Sequence, residues 1–421
     1  MKYCCNFTDI IRLKLSRELS DKIDLLLTYG WNRVAYNILR SLSIKGLKVA
    51  VGDTSNVAMA KSSKYCVCSF SYPSFYKNSK DFIESLKSTF QVVKPSVYIP
   101  VHEETFVIAR YIDEFKDTGV KIPISDFQLL KSVHKKDSLA KIAEALNIPV
   151  PKTFKPKNVS DLKHIWNEIG KRGKVVIKLL NTNSSKGVFY ASSYENLLKK
   201  YTDLVEENNL KIEEYPIVQE YVNGEGYGVS LLFNNGQMRA RFTHKRLREK
   251  IATGGTSTKR MSVKIPIIEE YAEYLLTSLK WHGVAMVEFK FNENEKKGWL
   301  IEVNPRFWGS LALPIKAGVD FPYLLYRMAI DGDIEPVTSY QEGVVVRWIL
   351  GDILATLSQI KAKRSIKPIF DFFSCKGESF DDLYKDDLMP FVTECRYYLS
   401  KFVKTGSSNP TEDALLDVDK I

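Results

Sequence analysis

The run VAMVEFKFNENEKKGWLIEVNPRFWGS, residues 284–310, leaves a chain little choice of local structure. Two segments of period-2 alternation flank a polar turn at 293–298, a pattern that folds back as an antiparallel pair. With that period Met286, Glu288 and Lys290 share one face of the first strand, and Leu300, Glu302 and Asn304 share a face of the second. Paired through the turn, Glu288 and Glu302 approach each other across the ladder. Like charges directly opposite destabilise a sheet. A cation between them removes that cost, and Asn304 adds a neutral oxygen. Mg²⁺ takes hard oxygen ligands at about 2.0–2.1 Å and is commonly held by one or two carboxylates plus substrate phosphates. An exposed acidic hairpin is the plain alternative, but the Asn304-Pro305-Arg306-Phe307-Trp308-Gly309 that follows is a poor surface sequence.

The rest of the chain alternates strands and helices. After an amphipathic lead-in at 1–22, Asp24 to Thr28 reads as a buried strand, followed by a turn at Tyr29-Gly30-Trp31-Asn32. Helical spacing at Val34, Ile38 and Leu42, a stop at Gly46 and a second strand at Leu47 to Val51 complete a βαβ start. Such a start implies a parallel, doubly wound sheet. Gly30 alone does not make the G-x-G-x-x-G of a dinucleotide fingerprint, so a nicotinamide cofactor is not supported. Ser96 to Pro100 is a further strand, with a helix expected over about 103–116 and two more near 126–132 and 136–146. Beyond these, strands are expected at 175–178, 217–221, 227–233 and 238–247, the last two joined at Asn234-Asn235-Gly236. Residues 266–281 and most of 340–403 read as helical, and 405–421 as a disordered acidic tail.

Composition limits the classes of function. At 421 residues and 44% hydrophobic, the chain can bury several cores. No stretch approaches the roughly 20 apolar residues of a spanning helix. The N-terminus carries charges inside its apolar run and does not read as a secretory signal. Six cysteines, none in a C-x-x-C pair, fit reduced thiols in a cytoplasm rather than a zinc site. The net charge of +11 fits nucleic acid, anionic lipid or anionic substrates. Because the lysines spread along the whole chain, the expectation is a solvated basic surface plus a site for anionic substrates, with no nucleic acid and no membrane.

Two further elements look suited to phosphates. Strand Val175 to Lys178 runs into the polar loop Asn181-Thr182-Asn183-Ser184-Ser185-Lys186-Gly187, whose N–H groups can fold over an anion. Thr243-His244-Lys245-Arg246-Leu247-Arg248 would place His244, Arg246 and Arg248 on one side of a strand, next to a Gly254-Gly255 turn with free backbone donors.

The run Glu288…Glu302-x-Asn304-x-Arg306 is similar to the metal-binding end of the ATP-grasp superfamily. The wider pattern resembles its carboxylate–amine ligases and carbamoyl-phosphate-synthase-like members over about residues 24–330, most strongly from 130 to 325. The resemblance implies Glu288, Glu302 and Asn304 as ligands of Mg²⁺ or Mn²⁺, and Arg306 facing the γ-phosphate or an acyl phosphate, where a guanidinium suits the oxygens. It implies Lys178 on the α/β-phosphates and a lid carrying Ser184, Ser185 and Gly187, although Leu179 stands where a proline is common. Lys136, before a helix ending in Ile148-Pro149-Val150-Pro151, resembles the first nucleotide lysine, with Lys135 where an Asp is usual. Gln219, Glu220, Tyr221 and Val222 resemble the adenine hinge, and Glu225 a ribose-binding Glu displaced by one residue. Arg246 falls where the carboxylate substrate and the transferred phosphoryl group are received.

The implied fold is mixed α/β and α+β. A Rossmann-like pre-ATP-grasp domain at 1–125 precedes a small lobe with its lid at 126–214 and a large lobe with the metal site at 215–335. A helical region at 336–404 and the tail at 405–421 follow. The implied activity is an ATP-dependent ligase that joins a small-molecule carboxylate to an amine through an acyl phosphate, with Arg306, Arg246 and Lys178 in catalytic roles; a homodimer is compatible with it. Three rivals remain open: a bicarbonate-using, carbamoyl-phosphate-type enzyme, a nucleotide-binding protein without turnover, and a nucleic-acid binder.

Overall fold

The computed structural model describes residues 22–170, 173–180, 187–251, 254–363, 366–373, 377–406 and 416–421. Four parallel strands open the chain: β1 (Leu25–Leu27), β2 (Val49–Asp53), β3 (Cys66–Ser71) and β4 (Val97–Ile99), in the order β3-β2-β1-β4. Leu25, Leu26 and Leu27 are all fully buried, as expected of a parallel strand covered on both faces. The crossover helix Arg33–Ile44 starts at Asn32, whose side chain accepts from the Val34 N–H, and buries Val34, Ile38, Leu39 and Leu42. Gly30 is required by a close approach: a Cβ there would lie 2.7 Å from Val51 Cγ1. Its place in the turn is therefore explained by packing on β2, in keeping with the missing dinucleotide fingerprint.

Within this first layer, strand β3 and the helix Ser79–Val93 escaped the sequence reading, as did most of the short elements between 153 and 331, among them Asp161–Ile169, Val188–Ala191, Tyr194–Glu207 and Phe321–Asp331. Strand β3 lies at the sheet's edge and is half exposed, so it lacks an apolar run. The helix expected over 103–116 splits into Glu104–Arg110 and a tighter 3₁₀ turn, Ile112–Thr118.

A second sheet of four antiparallel strands follows: β5 (Thr153–Phe154), β6 (Val175–Lys178), β7 (Val188–Ala191) and β8 (Ile217–Glu220), in the order β5-β8-β6-β7. Helices Asp161–Ile169 and Tyr194–Glu207 close its core through Leu162, Ile165, Leu197 and Tyr201.

The third sheet has seven strands: β9 (Glu225–Asn234), β10 (Gln237–Ile251), β11 (Gly254–Ser262), β12 (Gly283–Asn292), β13 (Lys297–Asn304), β14 (Val345–Arg347) and β15 (Ser379–Phe380), in the order β13-β12-β9-β10-β11-β14-β15. The β9–β10 turn has Asn235 and Gly236 both at positive φ, 47° and 87°, the geometry that Asn-Gly hairpins favour. Alternation sends neighbouring residues to different cores. Leu231 and Ala285 join the helices Phe127–His134, Lys136–Ala145 and Pro266–Ser278, while Leu232 and Met286 join the core of the parallel sheet. One large sheet thus binds both layers together.

Three expectations change here. Gly254 and Gly255 begin strand β11 rather than forming a turn. The 340–403 region carries two short strands, β14 and β15, besides the helices Ile349–Lys363, Lys367–Phe373 and Met389–Thr405. Residues 416–421 do not trail away as a disordered tail: Val418 is buried, and Asp419 forms ion pairs with Lys131 and Lys135, both at 2.7 Å.

Candidate functional site

The acidic hairpin forms with its two carboxylates paired, but Leu300, expected on the face of Glu302, pairs with Phe289 and joins the opposite core. Glu288 and Glu302 are direct partners across β12 and β13, and Met286 faces Asn304. The register shifts between Glu288 and Phe289, a bulge-like irregularity of the kind that re-aims a side chain. The Asn304 amide donates to Glu288 Oε1 at 3.1 Å and to Glu302 Oε1 at 3.2 Å, so three polar side chains meet at one point. Rotated by half a turn, the same amide would present its oxygen there.

The neighbouring strand leaves this point open. Glu288 faces Gly228 of β9, and Lys290 faces Gly226, so β9 places no side chain between β12 and β10. Across that gap Arg246 of β10 forms a close ion pair with Glu288, and its Nη1 lies 3.4 Å from Glu249 Oε1. The position a Cβ would take on Gly226 is 3.0 Å from Arg246 Cδ, and on Gly228 only 2.4 Å from His244 Cε1. Gly228 is therefore needed by the ring that crosses over it, while at Gly226 the flexible Arg246 side chain would have to give by a few tenths of an ångström.

Two lysines arrive from the second sheet and its approach. Lys178, the last residue of β6, is 9% exposed, and Lys136 donates from Nζ to the Leu179 carbonyl at 3.0 Å. Burial pulls the Lys178 ammonium down to about 8, with Lys136 adding to the fall and Glu302 opposing it. Lys136 is also lowered by burial, with Glu302 pulling the other way. Burial pushes the Glu288 carboxyl up; Arg246 opposes that rise and Glu302 adds to it. Glu302 moves the opposite way: burial raises it, but Arg246, Lys136 and Lys178 together hold it below the usual carboxylate range. Titratable groups pushed apart in this way, in one place and from four elements, mark a site built for charge.

His134 and Glu249 belong to this group and were not found in the sequence. His134 is held down to about 4 by burial and by the nearby Arg306 and Lys136, so it is neutral at pH 7. A lone His at a helix end and a Glu on a basic strand gave no signal by themselves. Arg306 itself sits in the loop after β13, donating from Nη1 to the Phe307 carbonyl at 2.8 Å. A cleft lined by Pro100, Thr105, Ser125, His282 and Arg306 lies where the parallel sheet meets this loop.

The remaining candidates are distributed as follows. Ser184 and Ser185 lie outside the described residues, while Gly187 closes the base of their loop by accepting from the Leu179 N–H at 2.9 Å. Gln219 and Glu220 end strand β8: the Gln219 amide donates to Thr153 Oγ1 at 2.8 Å, and the Glu220 N–H to the Lys152 carbonyl at 2.8 Å. Tyr221 and Val222 follow the strand, with Val222 buried and the Tyr221 ring 4.3 Å from Lys174 Nζ. Glu225 forms a close ion pair with Lys245.

The basic strand does not present one anion-attracting face. The β10 register shifts between Arg246 and Arg248, and Arg248 pairs with the fully buried Asp352 at 2.8 Å. Burial, with Arg246 and Arg260 nearby, depresses His244 well below its ordinary range and leaves it neutral, 3.4 Å from Ser310 Oγ. Only Arg246 meets the carboxylates.

The acid-rich segment after β15, which carries no motif of its own, is a strap. Asp381 accepts from Arg33 Nε at 3.2 Å and forms a close ion pair with the fully buried Arg260. Arg33 also donates to the Gly309 carbonyl at 3.1 Å, in the loop that carries Arg306. Asp382 accepts from the N–H groups of Ile349 and Leu350, and Asp386 takes the Arg40 guanidinium with both oxygens.

A family model described as "ATP-grasp in the biosynthetic pathway with Ter operon" matches residues 213–351. No curated protein matches the sequence. Among solved structures, the chain is similar to the biotin carboxylase domain of Hydrogenobacter thermophilus 2-oxoglutarate carboxylase, solved with MgADP and bicarbonate. That match has 13% identity and a TM-score of 0.62, covering 77% of this chain and 74% of that one. It is also similar to Staphylococcus aureus N5-carboxyaminoimidazole synthetase complexed with ADP, at 16% identity and TM-score 0.62 over 82% of this chain and 87% of that one. A third match is the Bacillus licheniformis L-amino acid ligase, at 14% identity and TM-score 0.56 over 75% and 76%. With a parallel sheet, a small antiparallel sheet and a large sheet carrying the paired carboxylates, this chain is a protein of the ATP-grasp fold.

Proposed function

We propose that the protein is an ATP-dependent ligase that activates a small-molecule carboxylate as an acyl phosphate and joins it to an amine, releasing ADP and phosphate. The observation that carries this reading is the meeting of Glu288, Glu302, Asn304 and Arg246 with the buried lysines 136 and 178. The nucleotide-bound relatives of the same fold support it.

The donor set suits Mg²⁺ as a partner of phosphates. Among the described residues no three Asp, Glu, His or Cys gather as a metal cluster. Two carboxylates and an amide leave part of an octahedral shell to phosphate oxygens and water, which is how Mg²⁺ is usually held at nucleotides. When bound, the ion would neutralise phosphate charge in a site that otherwise sets two carboxylates face to face.

The chain's own residues then do the positioning. Lys136 and Lys178 hold the phosphates, and their lowered affinity for protons is reversed by the anion they bind. The main chain of Tyr221 and Val222, past the end of β8, is available to adenine. A substrate carboxylate oxygen attacks the γ-phosphorus, the bond to the β–γ bridging oxygen breaks, and ADP leaves. The neutral amine then attacks the acyl carbon, phosphate departs with the C–O electron pair, and the nitrogen loses a proton to solvent. Arg246 and Arg306 stabilise the charge that develops on the transferred group, and no covalent enzyme intermediate is required.

The test is an ADP-release screen of amino acids, hydroxy acids and amines in pairs, with bicarbonate alone as a separate arm and mass detection of products. An amide product that appears only with both substrates is the expected result. ADP release with bicarbonate alone and no amide would favour the carboxyphosphate chemistry of the carboxylase relatives instead. Wild-type turnover in Glu302→Ala would remove the site assignment altogether.

A further inference from the structure

The three C-terminal helices are inverted. In Ile349–Lys363 the inward face carries Asp352, Ala355 and Thr356, while Ile353 and Leu357 face solvent. In Met389–Thr405 the buried positions are Pro390, Thr393 and Glu394, and the Tyr397 ring stacks on Trp31 at 5.3 Å. The stripe Val392, Arg396, Leu399 and Val403, at helical i, i+4, i+7, i+11 spacing, points outward. Around the short helix Lys367–Phe373, Ile366, Phe370 and Phe373 are 64%, 68% and 74% exposed. Soluble helices ordinarily do the reverse.

Charge is sorted in the same way. Asp352, Asp381, Asp382, Asp387 and Glu394 are buried, and Glu378 is paired with Lys259 and Arg347. The exposed Asp386 is taken by Arg40. Lys385, Arg396 and Lys404 face solvent. On the helix Met389–Thr405, among the described side chains, the outward face is therefore apolar residues with the cations Arg396 and Lys404 between them and no exposed acid.

Against the expectation of no membrane drawn from the even spread of the lysines, we infer that the outward face of these helices docks the protein on an anionic lipid bilayer. Apolar side chains that enter the acyl boundary, ringed by Lys and Arg that meet anionic headgroups, are the features of an interfacial helix. The exposures favour a soft surface over a protein groove. Residues lining a groove are half covered by its walls, whereas Phe373 at 74% and Val403 at 76% are protruding tips. A second copy of the chain is disfavoured by charge, because a two-fold interface would set the same cations against each other. No helix among the described residues is long and apolar enough to cross a membrane, so the attachment is peripheral.

Co-sedimentation tests this with vesicles of phosphatidylcholine alone and vesicles containing phosphatidylserine. The full chain is expected to follow the phosphatidylserine vesicles, less so at high salt, and to ignore the neutral ones. The double variant Phe370→Ser/Phe373→Ser should weaken that association about tenfold or more, since each exposed phenyl ring loses its apolar destination. Leu399→Ser/Val403→Ser probes the last helix separately, and an unchanged unfolding midpoint shows that either loss is one of surface and not of fold. Failure to associate with anionic vesicles overturns the inference. So does a concentration-dependent dimer, seen by sedimentation velocity, that the same substitutions dissolve. Neither outcome touches the ligase reading, which the ADP-release screen decides.

Discussion

An ammonium group in a buried site is charged at a cost, and Lys178 shows how large that cost is. Its proton affinity falls from 10.5 to about 8. Below pH 8 the protein carries the full penalty of a charged buried lysine. Between pH 8 and 10.5 the unfolded chain binds the proton that the folded chain has released, so stability rises with pH through that window. Lys178→Met should therefore stabilise the nucleotide-free protein at pH 7 by up to about 3 kcal/mol, read as a higher midpoint in urea. The same variant should bind ADP more weakly, because the charge it lacks is the one phosphates use. Since phosphates restore the proton, ADP affinity of the wild type should fall as pH rises above 8, with proton uptake visible by calorimetry in different buffers. A flat profile from pH 7 to 9 would argue that Lys178 does not meet the phosphates.

At the scale of elements, the site depends on what β9 omits. Gly226 and Gly228 let Arg246 reach Glu288 and let the His244 ring lie across the sheet. Gly228→Ala would bring a methyl group to 2.4 Å from His244 Cε1. Overpacking of this kind costs about 1–3 kcal/mol. The double variant Gly228→Ala/His244→Ala should recover part of that loss, because the second change removes the ring that the first one meets. Additive losses in thermal unfolding would show that the two residues do not touch. The turn at Asn235-Gly236 was legible in the sequence because the residues that tolerate positive φ are few. The glycines at 226 and 228 were not, because their reason lies on β10 and β12.

On the scale of the whole molecule, the strap after β15 ties the last region to the first. Asp381 is the shared partner of Arg33 and Arg260, one from the parallel sheet's first crossover helix and one from β11. Removing one partner of a buried ion pair leaves uncompensated charge and costs about 3–5 kcal/mol. Asp381→Ala is expected to destabilise by that amount in urea unfolding and to open the C-terminal region to proteolysis. Asp386→Ala, which breaks a half-exposed pair with Arg40, should cost less than about 1 kcal/mol. Equal losses from the two would show that the strap is not anchored at Asp381.

The residues of the hairpin settled their own pairing. Alternation in 284–304 put Glu288 and Glu302 on facing positions, and the structure gives that register directly. The βαβ start and the β9–β10 hairpin were equally readable, because periodicity and turn chemistry act over a few neighbouring residues. What the sequence left open was long-range. His244, Arg246 and Arg248 share a period, yet a register shift and burial divide them among a neutral ring, a carboxylate partner and a structural ion pair. The acids of 378–394 gave no chemistry until the fold set their partners beside them, some of them more than 300 residues away. Charge and burial are properties of surroundings, and a linear pattern carries surroundings only as far as its own period reaches. That is why the paired carboxylates could be read from the chain and Lys136, Lys178 and Arg246 only through a family resemblance, while the division of the basic strand, the places of His134 and Glu249 and the outward apolar faces of the last helices were decided by the tertiary structure.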